Sequence, residues 1–228
     1  MRTLSIKNID ISFDNPKGDK HVLFRNFSQE FTSGIYTLLG ESGCGKTTLM
    51  RAIEGFQKIN SGSITLDGKL IDLTCSDTYM MHQHYANFSW LTVEKNLYMA
   101  YKARGIKITD KERNEVNTFL KCVGLEEEAH KKVGTFAGEI SGGQSQRLAF
   151  ILGIAFRPKV YMLDEPTSAL DRKNAQIISD ILQGYQRKMD AIIIVITHDI
   201  PFAKSLNATE IVLTEERRKT DFKLEVYK

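Results

Sequence analysis

Ile35-Tyr36-Thr37-Leu38-Leu39 leads without a break into Gly40-Glu41-Ser42-Gly43-Cys44-Gly45-Lys46-Thr47, and then into Thr48-Leu49-Met50. The middle stretch fits G-x-x-x-x-G-K-[ST], a pattern that has physical meaning only between a strand and a helix. Both flanks meet that demand. The apolar run before it reads as a buried strand, and Thr47 to Phe56 carries apolar residues at helical spacing, Leu49, Ile53 and Phe56. In such a loop the glycines let backbone N–H groups turn inward around phosphate oxygens, and the helix N-terminus adds partial positive charge. Lys46 is then expected to reach the β- and γ-phosphates, and the Thr47 hydroxyl to ligate Mg²⁺. Cys44 lies inside the loop, where a thiol reagent would find it, but no catalytic role follows from its position.

A second stretch supplies what a phosphate loop lacks. Val160-Tyr161-Met162-Leu163 is a short apolar run that ends in Asp164-Glu165, which places two carboxylates at the carboxyl edge of a parallel sheet. Asp164 is expected to hold Mg²⁺, directly or through water, and Glu165 to act as general base on the attacking water. Two acids after a strand can also be no more than a turn or a helix cap. It is the pairing with the glycine loop that favours phosphoryl transfer.

The rest of the chain supports one α/β architecture. Leu4 to Phe13 and Val22 to Phe31 alternate apolar and polar residues around Asn15-Pro16-Lys17-Gly18-Asp19, an antiparallel pair. Ser61 to Lys69 contains a strand ending in Asp67-Gly68, a strong hairpin signal. A strand is expected at Tyr79–His82, helices at Thr92–Arg104, Asp110–Val123 and Gly143–Phe156, and a long helix at Asp171–Met189 before a strand at Ile192–Thr197. This order implies a P-loop NTPase core with a parallel sheet flanked by helices, an antiparallel N-terminal β layer and a helical insert.

Composition narrows the function classes. Among 228 residues, 31 Lys and Arg face 28 Asp and Glu, a balance that gives no argument for a nucleic-acid partner. Cys44, Cys75 and Cys122 are widely spaced with no C-x-x-C pair, which suits a reducing compartment and neither a disulfide framework nor a zinc site. Met1-Arg2-Thr3-Leu4 runs straight into an alternating strand pattern without the apolar core of a secretion signal. The longest strongly apolar run, Ala191 to Ile196, is far too short to span a bilayer.

With these motifs in order, the chain resembles the nucleotide-binding subunits of prokaryotic ATP-binding cassette (ABC) transporters. Ile140-Ser141-Gly142-Gly143-Gln144 resembles the LSGGQ signature with Ile for Leu, and Gln83 matches the Q-loop glutamine, with Leu91-Thr92-Val93 at the family's spacing. Pro166 to Asp171 resembles the D-loop, and His198 in Ile196-Thr197-His198-Asp199 the switch histidine. The likeness runs from about Leu4 to Leu213. It implies one ABC ATPase domain over residues 1–228, with a RecA-like core at about 1–83 and 158–228 and a helical signature subdomain at about 84–157.

The resemblance also implies roles. Two copies would pack head to tail, so that Ser141, Gly142, Gly143 and Gln144 of one close over the ATP held by the other, with the glycines permitting close approach. His198 would contact the γ-phosphate and the attacking water; Gln83 would contact Mg²⁺ and relay the nucleotide state towards membrane permease subunits. Phe13 stands where the family has an aromatic ring stacked on adenine, although a strand-end Phe can equally pack in a core. Tyr85, Phe88 and Trp90 fall in the region that grips a short helix of the membrane subunit, and each could instead fill the subdomain core. Glu126-Glu127-Glu128, Lys131-Lys132 and Arg217-Arg218-Lys219 read as solvated charge.

The implied function is ATP hydrolysis driving transport from the cytoplasmic face of the cell membrane, where the subunit is peripheral. Import is favoured over export, and Trp90 before Leu91-Thr92-Val93 resembles the nitrate, sulfonate and taurine importers. A lipoprotein-release-type exporter ATPase and a soluble ABC protein outside transport are the alternatives. Leu152-Gly153, where the family often has Arg-Ala, is expected to weaken contacts within its helix. The cargo is not legible in the chain.

Overall fold

The computed structural model describes residues 1–14, 20–71, 77–83, 87–134 and 140–214. The loop at 15–19, Cys75, Tyr85 and the charged run at 217–219 lie outside the described residues.

Two sheets share the chain. Strands β1 (Thr3–Asp14), β2 (Lys20–Thr32), β4 (Ser61–Leu66) and β5 (Lys69–Leu70) form an antiparallel sheet in the order β2-β1-β4-β5. The Asp67-Gly68 turn between β4 and β5 has both residues at positive φ, 51 and 78 degrees, as the hairpin signal demands. Strands β3 (Gly34–Leu39), β6 (Thr78–Met81), β7 (Val160–Asp164), β8 (Ile192–Ile196) and β9 (Thr209–Val212) form a parallel sheet in the order β6-β7-β8-β3-β9. The helices are α1 (Lys46–Ile53), α2 (Val93–Ala103), α3 (Asp110–Cys122), α4 (Gly142–Phe156), α5 (Arg172–Met189) and α6 (Ile200–Ser205).

Strand alternation divides the core in two. Val160 and Met162 of β7 and Ile192, Ile194 and Ile196 of β8 face a cluster shared with α1 and the antiparallel sheet. Their neighbours Tyr161, Leu163, Ile193 and Val195 face a second cluster that runs on into α2, α3, α4 and α5. Both faces of these strands are therefore buried, which is why the two runs are almost wholly apolar. The helical insert has no separate core; it continues the apolar layer on one face of the sheet.

Three expectations change. Helix α1 stops at Ile53, because Gly55 adopts φ 85, so Phe56 lies beyond the helix and is 70% exposed. The short α6 and β9 were not foreseen. At Leu152-Gly153 the helix is pressed closely against β7: a Cβ on Gly153 would overlap the Tyr161 hydroxyl and lie 2.5 Å from ring carbon Cζ. Tyr161 fills the space that the missing side chain leaves and donates a hydrogen bond to the Phe150 carbonyl at 2.8 Å.

Candidate nucleotide site

Four loops that follow parallel strands meet at one edge. Gly40–Gly45 follows β3, His82-Gln83 follows β6, Glu165 follows β7 and Thr197-His198 follows β8. They enclose a cleft of about 470 Å³ lined by Lys46, Thr47, Gln83, Asp164, Glu165 and His198 among others, together with Ser42, Gly43 and Thr48. The carboxyl edge of a parallel sheet is where such folds bind ligands.

The glycine loop sits on the antiparallel sheet. Gly45 has φ 98, and a Cβ there would come within 2.9 Å of the Phe24 ring on β2. Only glycine satisfies both the backbone angle and this approach. The loop thereby delivers the first N–H groups of α1 to the cleft, since no side chain caps that helix end. Lys46 is buried, and its ammonium folds back to donate to the carbonyls of Gly40 at 2.7 Å and Glu41 at 2.9 Å. Cys44 is also buried, 5% exposed, with its sulfur 3.9 Å from Lys46 Nζ, so a thiol reagent meets a covered group.

Thr47 and Asp164 are brought together from 117 residues apart: Thr47 Oγ1 donates to Asp164 Oδ2 at 2.8 Å. A hydroxyl and a carboxylate side by side are hard oxygen donors of the kind Mg²⁺ takes, with phosphates and water completing its shell. The donor set fits that ion. Gln83 is exposed and lines the same cleft.

Glu165 stands next to Asp164 with its backbone at φ 52, a left-handed conformation that costs a non-glycine residue about 1–3 kcal/mol. Its N–H donates to the Ile196 carbonyl at 2.9 Å, and its Oε2 accepts from the His198 backbone N–H at 3.4 Å. Oε1 is buried without a hydrogen-bond partner and lies 3.6 Å from His198 Nε2. Burial pushes the Glu165 carboxyl up from its usual range; the His198 N–H and ring and the Lys46 ammonium pull it back, while Asp164 adds to the rise. An acceptor so placed, its carboxyl raised above the usual range by burial, is suited to take a proton from water.

Ser141 to Gln144 lie elsewhere, at the start of α4. Ser141 Oγ accepts from Gln144 N at 3.2 Å, and Ser141 N donates to Gln144 Oε1 at 2.7 Å, a capping box. Gln144 Nε2 also donates to Glu128 Oε1 at 2.9 Å, so Glu128 is no idle surface charge; it anchors the turn and pairs with Lys131 at 3.7 Å. A Cβ at Gly143 would lie 3.3 Å from the Ala169 carbonyl, whereas one at Gly142 would meet nothing within 4 Å.

Two residues that sequence reading passed over join these regions. Gln146 is fully buried, donates to the Glu165 carbonyl and to Ser168 Oγ, both at 3.1 Å, and accepts from Ala169 N at 3.0 Å. Asn87 donates to the Ser145 carbonyl at 2.9 Å and to its Oγ at 2.8 Å. Phe13 lies one residue before the end of β1 and is 40% exposed, so it does not fill the core. Trp90 is 69% exposed, its ring meeting Phe88 edge-on at 5.4 Å.

Known proteins share this fold. A solved structure described as the dimeric post-hydrolysis state of the ATP-binding cassette MJ0796 bound to ADP and Pi has the same fold, with a TM-score of 0.80 over 96% of this chain and 97% of that one at 23% identity. The bicarbonate transport ATP-binding protein CmpD of Synechococcus elongatus is 33% identical over 212 residues, 92% of this chain and 75% of that protein. The spermidine/putrescine import ATP-binding protein PotA of Thermotoga maritima is 37% identical, over 93% of this chain and 56% of that one. The nitrate import ATP-binding protein NrtC of Synechocystis sp. is 32% identical, over 94% of this chain but 32% of that protein. The chain thus spans about a third of the nitrate protein's length and just over half of the spermidine/putrescine protein's. The family model described as ABC transporter matches residues 25–168. With a match over more than half its length, the chain belongs to the ABC transporter family.

Proposed function

We propose that the chain is the ATP-hydrolysing subunit of an ABC importer, working as a pair of copies on the cytoplasmic face of the cell membrane beside permease subunits. The observation that carries this reading is the Thr47–Asp164 hydrogen bond at 2.8 Å with Glu165 next in sequence, which joins the phosphate loop to the two acids in one cleft. Import is supported by the names of the relatives and by Trp90 before Leu91-Thr92-Val93. Among the described residues no helix is long and apolar enough to cross a membrane, so passage of a cargo is assigned to partner subunits.

In this reading Gly40–Thr48 cradle the phosphates with backbone N–H groups, and Lys46 leaves the Gly40 and Glu41 carbonyls for the β- and γ-phosphates. Phe13 stacks on adenine from the antiparallel sheet. Thr47, Asp164 and Gln83 would hold Mg²⁺, which would supply positive charge against the phosphates. Glu165 orients the attacking water and takes its proton at Oε1, and His198 steadies Glu165 and the γ-phosphate. Ser141, Gly142, Gly143 and Gln144 complete the site of the second copy. Residues from about 84 to 157 form the helical subdomain beside a core at about 1–83 and 158–228, and Trp90 anchors the permease contact.

Replacing Glu165 by Gln keeps the shape and removes the base. Glu165→Gln is expected to bind ATP, to lose at least about 100-fold in turnover, and to accumulate as a dimer when ATP and Mg²⁺ are present. Size-exclusion chromatography with a phosphate-release assay reads both effects. A variant that stays monomeric and turns over at the parent rate overturns the assignment.

A further inference from the structure

Helix α4 has two jobs to do within four residues. Its first turn, Ser141–Gln144, faces outward, and the proposed function sets it against the nucleotide of a second copy. One residue beyond Ser145, Gln146 points the other way, into the chain, with no exposed surface at all. Both donors and the oxygen of its carboxamide are engaged: Nε2 donates to the Glu165 carbonyl and to Ser168 Oγ, and Oε1 accepts from the Ala169 N–H. Gly143, three residues earlier, lies on the same segment, since its would-be Cβ is 3.3 Å from the Ala169 carbonyl.

The peptide that Gln146 holds is a strained one. Glu165 is fixed from its N-terminal side by the sheet, through its N–H to Ile196, and from its C-terminal side by two donors to its carbonyl, the Ser168 N–H at 3.3 Å within the same turn and Gln146 Nε2 at 3.1 Å from helix α4. A left-handed non-glycine residue persists only where its surroundings over-determine it. The direction of the Glu165 side chain is therefore set jointly by strand β8 and by helix α4. A shift of α4 reaches Glu165 through one amide.

We propose that Gln146 is a positioning residue that ties the signature turn of a chain to that chain's own Glu165, so that closure of Ser141–Gln144 over the nucleotide of one site aligns the base of the other. The proposal rests on the paired reading given above. It assigns each copy a mechanical link between the two sites of the pair, running from Ser141 through α4 to Glu165. Asn87 on Ser145 holds the same helix turn to the segment after Gln83, which keeps α4 from shifting independently of that loop.

The test uses the full chain with ATP and Mg²⁺. Gln146→Met keeps the length of the side chain and removes all three hydrogen bonds. It is expected to lower kcat at least 10-fold while the KM for ATP changes by less than about 3-fold, because Gln146 touches no nucleotide-binding group. Mixed pairs separate positioning from general damage to α4. A pair in which one copy carries Glu165→Gln keeps one working site, built from the other copy's Walker residues and the Glu165→Gln copy's signature, while both sites still close on ATP. Placing Gln146→Met in the copy that supplies the working Glu165 is expected to lower turnover at least 5-fold more than placing it in the Glu165→Gln copy. Equal losses in the two placements, or an unchanged kcat in the uniform variant, overturn the proposal. If the parent pair shows no turnover, the proposed function falls and this link falls with it. Should Gln146→Met unfold, Gln146→Glu carries the same prediction, since it keeps the acceptor for Ala169 N–H and sets a carboxylate against the Glu165 carbonyl.

Discussion

The cleft at the sheet edge and the turn at the start of α4 are built on opposite plans. In the cleft, groups suited to a ligand are occupied by one another: Lys46 by the carbonyls of Gly40 and Glu41, Thr47 by Asp164. Binding there is an exchange, in which a phosphate replaces bonds the chain already makes, and the pre-formed geometry lowers the ordering cost. At the turn, Ser141 and Gln144 bond each other, yet Gly142 faces open space. A glycine in a helix costs up to about 1 kcal/mol against alanine, and at Gly142 no close approach among the described residues accounts for it. The first region carries groups already paired with one another; the second leaves open space beside a glycine among the described residues.

The sharpest way to break this comparison is to fill the room. Ser141→Arg is expected to abolish turnover while a single copy still binds nucleotide almost as the parent does. The cleft residues lie elsewhere, so equilibrium binding of a fluorescent ATP analogue checks the one half and phosphate release the other. Ser141→Ala is the control: it loses the helix cap, worth about 0.5–2 kcal/mol, but adds no bulk. Loss of binding in the Ser141→Arg monomer would place the turn in the chain's own cleft and end the division drawn here.

That division was partly legible in the sequence, and for physical reasons. Gly40–Thr47, Asp164-Glu165 and Ser141-Gly142-Gly143 are readable because each needs particular residue types at fixed spacing, and the strands are readable from alternation. Phe56 misled because apolar spacing continues past the point where Gly55 ends α1. Glu128 hid in a run of three acids, of which it bonds Gln144. Gln146 hid for a different reason. A polar residue in a helix is read as surface, and only its sharing a face with Ala149, Phe150 and Gly153, all buried, signals otherwise. What a buried amide holds depends on a contact 19 residues away, which no local pattern records.

The rear of α4 gives the next test. Gly153 and Tyr161 form a matched pair, in which a methyl group on one would overlap the ring of the other. Gly153→Ala is expected to destabilise the fold by about 1–3 kcal/mol through overpacking, and Tyr161→Leu in the same chain to recover part of it by making room. Denaturant unfolding of the two single variants and the double one gives the coupling. Strict additivity would mean that the tightness at Gly153 is relieved by a small backbone shift and that the helix is not seated on Tyr161.

The smallest expected effect concerns the back of the cleft, where Glu54 caps the end of α1 and faces His82, the residue before Gln83, at 3.6 Å. Burial pushes the Glu54 carboxyl up from 4.5 to about 7, against the Met80 N–H and Arg51, which favour its charged form. Burial and Arg51 pull His82 down, with Asp164 opposing. With a folded-state value above the unfolded one, Glu54 contributes stability that is fully present below pH 4.5 and is lost as the pH rises through about 7. Allowing for water at a partly exposed group, the loss is of order 1–2 kcal/mol. Glu54→Gln is expected to flatten that part of the stability profile and to be the more stable chain at pH 8, as read by urea unfolding across the range. If the slope between pH 5 and pH 8 survives the substitution, Glu54 is ionised against a charged His82. The wall behind Gln83 is then an ion pair, and like the rest of the cleft it would be held by charge before any nucleotide arrives.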